Sequence, residues 1–272
     1  MRKAGCILKS LLPMFFWLGL QSTVTSLFLL MGMTILGKDS SWILTGELPY
    51  VISILANAVT FAAGYIWLQK REKQEKGKIT PFSMAALLFL GLTLQLFFSL
   101  LLSGADMLFP KAMEEYGKVL ENLGMLAPSF FSVLYTALLA PLAEEAVFRG
   151  LTLGILEKEF SFALANVFQA VLFAFMHGNA VQSSYAFVIG LLLGYLVKKY
   201  RTLWAGIWCH MAVNASGLLV GNLDICGMCI LLAVSLCILY GFVTVDGKKT
   251  KNRERYWEKC CEKTIEKQQK FK

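Results

Sequence analysis

Three short stretches of this chain hold side chains able to do acid–base chemistry where such groups are costly to place. Pro141-Leu142-Ala143-Glu144-Glu145-Ala146-Val147-Phe148-Arg149-Gly150 supplies two carboxylates and a guanidinium. Phe173-Ala174-Phe175-Met176-His177 supplies an imidazole, and His210-Met211-Ala212-Val213-Asn214 supplies a second imidazole and an amide. Both histidines of the chain are in this set. The flanking residues are apolar enough for a bilayer, where an ionisable side chain costs about 2.5–3.5 kcal/mol even on a lenient insertion scale and marks a functional position by default. Amide hydrolysis calls for such groups: a base to take a proton from water, an acid to return one to the leaving amine, and donors aimed at the developing oxyanion. A glutamate in a low-dielectric cavity can serve both proton transfers.

Helical spacing assigns partners. Glu145 and Arg149 stand one turn apart in the favourable acid-first order, so Arg149 can neutralise Glu145. Glu144 is rotated by about 100° from Glu145 and can face a cavity between helices. His210 and Asn214 share a face one turn apart. Pro141 leaves the carbonyl of Ala137 without its helical donor, and a membrane tolerates that only beside a cavity or a substitute donor. Each member has a plainer reading, the Glu145–Arg149 pair as a structural ion pair and either histidine as an interhelical hydrogen bond. The combination of Glu144, His177, His210 and Asn214 carries the weight.

The elements that must position them are membrane helices. The 272 residues are 57% hydrophobic and 16% charged, against about 45–50% apolar and about 25% charged in soluble domains, which excludes an ordinary soluble enzyme and a disordered chain. The mean hydropathy is +0.60. The expected fold is all-α, a polytopic bundle of about eight transmembrane helices near 11–36, 48–68, 82–102, 129–156, 160–178, 183–197, 203–220 and 225–245. The apolar N-terminal run has no convincing cleavage site, so it reads as a retained helix. Residues 1–246 form a single membrane-embedded domain, and 247–272 form a basic tail holding ten Lys or Arg. Alternate connections divide Lys and Arg 22 to 3, so both termini are expected in the cytoplasm.

Between the third and fourth segments, residues 107–124 place Met113, Tyr116, Leu120 and Leu123 on one face and Glu114, Glu115, Lys118 and Glu121 between them, the pattern of an interfacial amphipathic helix and a candidate substrate gate. Gly190 and Gly194 form a small-xxx-small pair suited to close helix packing. Of the seven cysteines, Cys226 and Cys229 have redox spacing but read as small buried packing residues, with no disulfide framework implied. The basic tail suits lipid headgroups, and nothing points to nucleic acid.

Glu-Glu-x-x-x-Arg at 144–149, Phe-x-x-x-His at 173–177 and His-x-x-x-Asn at 210–214, in order on membrane helices, resemble the CAAX protease and bacteriocin-processing (CPBP, or Abi) family of intramembrane proteases. That family includes CAAX prenyl endopeptidases and proteins like lysostaphin resistance protein A. The resemblance covers about 127–222. It implies that Glu144 and His177 activate water, that His210 and Asn214 stabilise the oxyanion, and that Glu145 and Arg149 orient the site. It further implies a membrane-associated peptide or protein substrate of CAAX type or from bacteriocin and peptide processing, with self-immunity as one outcome.

The metal question stays open between a glutamate-type enzyme and a metalloprotease. Glu144, His177 and His210 match the inventory of a zinc site, while Asn214 and the second Glu fit a metal-free scheme, the one preferred. Counting helical rise from the presumed cytoplasmic ends puts Glu144 near ~20 Å, His177 near ~25 Å and His210 near ~10–12 Å, which does not align them. Two other functions use the same residues: a proton- or ion-coupled transporter, and a non-catalytic immunity or scaffold protein.

Overall fold

The computed structural model describes residues 2–39, 41, 46–71, 77–122, 125, 127–221 and 223–245. Leu123 and the tail with Cys260 and Cys261 lie outside the described residues. Nine helices and no strand occur among those described: α1 (Arg2–Thr34), α2 (Leu48–Arg71), α3 (Pro81–Leu108), α4 (Pro110–Asn122), α5 (Phe130–Leu156), α6 (Phe162–Phe175), α7 (Ala180–Tyr200), α8 (Leu203–Val220) and α9 (Ile225–Val245). Seven are long and apolar enough to cross a membrane, α4 and α6 being the exceptions. The eight apolar segments of the sequence are thus seven spans plus α6, whose 14 residues reach only about 21 Å.

Local sequence explains the ends that matter. Pro81 opens α3 behind Thr80, whose side chain accepts from the Ser83 N–H. Asn179 caps α7 by accepting from the Val181 and Gln182 N–H groups, so the chain reverses directly after His177 and Gly178. At the far end of α7, Arg201 takes a left-handed conformation (φ 54°) and starts α8 two residues later. Gly77 donates its N–H to the Arg201 carbonyl (3.1 Å), and a Cβ at Gly77 would strike the Tyr200 carbonyl. The α7–α8 turn is therefore covered by protein.

Glycines set the closest helix approaches. A Cβ at Gly91 on α3 would meet the Cys209 carbonyl and Ala212 on α8. On α7, a Cβ at Gly194 would collide with the Asn166 side chain of α6, and one at Gly190 would crowd Ala170. The small-xxx-small pair thus packs α7 onto α6. Asn166 Nδ2 and Gln169 Nε2 use that closeness to donate to the carbonyls of Leu191 (2.9 Å) and Gly190 (3.0 Å). The opposite side of α6 exposes Leu164, Val167, Val171 and Phe175, a stripe that suits lipid. One core joins Leu87, Phe98, Leu193, Cys209 and Val213; a second joins Trp17 of α1 to Val147, Phe148 and Phe173.

Two expectations need correction. Cys226 and Cys229 are free and exposed on α9 rather than buried, because α9 meets the bundle along one edge, through Met228 against Leu96 and Val220. The depth mismatch also disappears. The count assumed that every helix begins at one plane, whereas the α7–α8 turn lies beneath the 77–80 segment and α6 stops short.

Gly194→Leu is expected to destabilise the protein by roughly 1–3 kcal/mol or more through overpacking. Gly154→Ala, where nothing lies within 4 Å of the added methyl, should leave stability unchanged. Thermal unfolding in detergent reads both.

Candidate active site

The site is built on a helix that is not plainly α. Tyr135–Leu139 and Glu145–Thr152 within α5 are π-helical, separated by the α-helical Ala140–Glu144. Pro141 accounts for much of the first irregularity. In the π register the Ala140 N–H donates to the Tyr135 carbonyl, so the next carbonyl, Thr136, would need the N–H that Pro141 lacks. Asn214 Nδ2 supplies that donor from α8 at 2.9 Å. The orphan is thus Thr136 rather than Ala137, shifted by the π turn, and the substitute donor is itself one of the motif residues.

One turn on, Glu145 is fully buried. Its Oε1 accepts from Arg149 Nη1 (2.9 Å), the pairing expected from the spacing, and from His210 Nδ1 (2.9 Å) on α8. Its Oε2 has no hydrogen-bond partner and lies against Gly206, where a Cβ would collide with it. Arg149 also donates to the Gly190 carbonyl (3.3 Å) and packs its guanidinium over the Phe173 ring, 4.1 Å from the centroid. Glu145 therefore holds α5 to α8, and Arg149 holds α5 to α6 and α7.

Glu144 points elsewhere, as its rotation from Glu145 requires. It lines a cavity of about 910 Å³ with His177, His210 and Asn214, whereas Glu145 and Arg149 stay behind the wall. His210 Nε2 lies 3.6 Å from Glu144 Oε2. His177 Nδ1 meets the Phe173 carbonyl at 2.9 Å; a carbonyl only accepts, so Nδ1 carries the proton and, in the neutral ring, Nε2 keeps its lone pair. Glu145 imposes the same tautomer on neutral His210. Phe173 organises both rings edge-to-face, with centroids at 4.8 Å from His177 and 5.7 Å from His210. That contact gives the Phe of Phe-x-x-x-His its purpose.

Other members escaped the motif reading. Asn57, buried on α2, accepts from Trp17 Nε1 (2.7 Å) and Gln21 Nε2 (2.8 Å) and so ties α1 to α2 behind α5. Tyr135, Gln95, Ser99 and Asp106 line the cavity. Their signal was available: Asn57, Gln95 and Ser99 are polar residues in apolar spans, the criterion that flagged the ionisable ones. The amphipathic segment forms α4 and roofs the cavity with Met113, Tyr116 and Leu120. The Tyr116 and Tyr185 hydroxyls are 2.9 Å apart, and burial raises the Tyr116 phenol above its ordinary value, the hydrogen bond partly opposing this. A second cavity, about 960 Å³, lies between α1, α2 and the end of α5, and none of the six motif residues lines it.

Among the described residues no three His, Cys, Asp or Glu side chains form a group able to hold a metal ion. Glu144, His177 and His210 are not such a group in this arrangement.

The fold and this cavity define the class, a multi-pass membrane protein whose scarce ionisable groups converge in one buried place. Residues 126–216 match a family model described as Rce1-like, type II CAAX prenyl endopeptidase, a stretch of about a third of the chain that contains all six motif residues. Over this stretch the chain is similar to the CPBP, or CAAX protease, family. No curated protein and no solved structure matches it.

Arg149→Met leaves the Glu145 carboxylate buried without its guanidinium and is expected to cost about 3–5 kcal/mol. Glu144→Gln, which alters a cavity-lining group and no buried pair, should leave the unfolding midpoint in place. Thermal denaturation of the two purified variants tests the division between wall and cavity.

Proposed function

We propose that the protein is an intramembrane endopeptidase that hydrolyses a peptide bond of a membrane-associated substrate with a water activated by Glu144 and His177. The observation that carries this reading is the convergence on one cavity of Glu144, His177, His210 and Asn214 from two helices and the turn after α6, with both imidazoles held through Nδ1. The family-model match over residues 126–216 supports a protease of CAAX type. Glu144 takes a proton from the water as its oxygen bonds to the scissile carbonyl carbon, and the carbonyl π pair moves onto oxygen. His177 orients the water through Nε2. His210 in its doubly protonated form donates from Nε2 to the oxyanion while its Nδ1–H stays on the Glu145 carboxylate. Asn214 Nδ2 has two N–H groups; one holds Thr136 and the second is available to the oxyanion. Collapse breaks the C–N bond, and Glu144 returns its proton to the leaving amine.

Glu145 and Arg149 act through His210 and Phe173 and are positioning residues. In a non-catalytic scaffold, Glu144 would have no reason to face a cavity instead of pairing with Arg149.

Glu144→Gln and His177→Ala should abolish cleavage with folding intact, read by comparing peptide termini in membranes carrying the native protein or a variant; cleavage that persists in both variants overturns the reading. His210→Ala and Asn214→Ala should each lower kcat by about 10²–10³ if they serve the oxyanion. Activity should survive exhaustive chelation, and recovery that requires stoichiometric zinc would replace the Glu144–His177 water with a metal-bound one.

A further inference from the structure

The side from which substrate reaches Glu144 follows from where the cavity opens and where the charges lie. Away from Glu144 the cavity extends to one end of the bundle, lined there by the C-terminal half of α3, Met113, Tyr116 and Leu120 of α4, the start of α7 and residues flanking the α8–α9 connection. At this end α6 stops after about 21 Å of a roughly 30 Å hydrocarbon core, so the His177–Gly178 turn leaves a recess instead of reaching the surface. The opposite end carries the separate second cavity between α1, α2 and α5, which none of the six motif residues lines. Glu145, Arg149, Phe148 and Thr152 are buried beneath the site, and Gly77 packs onto the α7–α8 turn.

A polar stripe leads inward from the open end. Asp106 stands at the rim of α3, with Ser103, Ser99 and Gln95 at successive turns below it. Gln95 donates to Ser99 Oγ (3.1 Å) and lies against Gly217, one turn from Asn214. In an otherwise apolar helix this row offers hydrogen-bonding groups to an extended polypeptide descending towards Glu144.

Charge assigns the side. Among the described residues, the connections that frame the open end hold only Lys38, Lys111 and Lys118, whereas the opposite end holds Arg2, Lys3, Lys9, Lys78, Lys158, Lys198, Lys199 and Arg201. Short loops rich in Lys and Arg stay cytoplasmic. We propose that the catalytic cavity opens to the exoplasmic side, and that its substrate is an extracytoplasmic juxtamembrane segment of a membrane-anchored polypeptide rather than a cytoplasmic C-terminal tail. The substrate class rests on the protease reading above; the direction of opening does not.

The experiment places Ser103→Cys and, separately, Lys158→Cys in a chain whose Cys226, Cys229, Cys237, Cys260 and Cys261 are replaced by Ser. A membrane-impermeant maleimide is then applied to sealed right-side-out and inside-out vesicles. The expected result is labelling at 103 at least tenfold faster right-side-out and the reverse at 158. In parallel, peptide termini lost in Glu144→Gln membranes should map to exoplasmic flanks of membrane spans. Labelling at 103 only in inside-out vesicles, or from neither side, overturns the proposal. So do Glu144-dependent termini on cytoplasmic flanks, which leave the protease reading standing. If no terminus depends on Glu144, the protease reading fails and the substrate assignment with it, while the labelling still decides the direction.

Discussion

A carboxylate that neither water nor lipid can solvate sets the terms for the rest of this structure. Glu145 is fully enclosed in a membrane bundle, where an isolated charge would be prohibitive, so the fold must bring donors to it. Arg149 arrives from the same helix and His210 from α8, both on one oxygen, while the other oxygen rests against the backbone at Gly206. Meeting those demands fixes the distance between α5 and α8 and places His210 Nε2 beside Glu144. A conventional ion pair at the surface would be worth little. At this depth the same pair acts as a geometric constraint, because every alternative arrangement strands a charge.

The backbone of α5 obeys a parallel logic. A proline in a membrane helix removes a donor that lipid cannot replace, and here the deficit falls on Thr136 and is met by Asn214. The π turns on either side change which carbonyls are short of partners and which side chains share a face. Irregular helix and catalytic candidates coincide because the same cavity accommodates both, and Asn214 serves the backbone with one N–H while presenting the other.

How much of this was legible in the sequence depends on the range of the interaction. The bundle of apolar helices, the amphipathic α4 with Met113, Tyr116 and Leu120 on one face, and the Glu145–Arg149 pair were all readable, because each follows from composition or from spacing within one helix. The separation of Glu144 from Glu145 was readable for the same reason. The Glu145–His210 hydrogen bond was not, since it joins residues 65 apart through a helix crossing that Gly206 permits. The π register was also hidden: Pro141 announces a missing donor, but whether the deficit falls on Ala137 or Thr136 is decided by packing against α8. Cys226 and Cys229 misled because an apolar segment reads the same whether it faces protein or lipid.

The brevity of α6 has a consequence outside the protein. Its outward stripe of Leu164, Val167, Val171 and Phe175 meets lipid over about two-thirds of the normal hydrocarbon thickness. Adjoining acyl chains must shorten or tilt to avoid uncovering the polar turn at His177, at a cost of fractions of a kcal/mol for each ångström of mismatch. A thinner membrane relieves that mismatch while a thicker one deepens it. Lipid thickness becomes a variable acting on the exposure of His177, a control on the site that no side chain supplies.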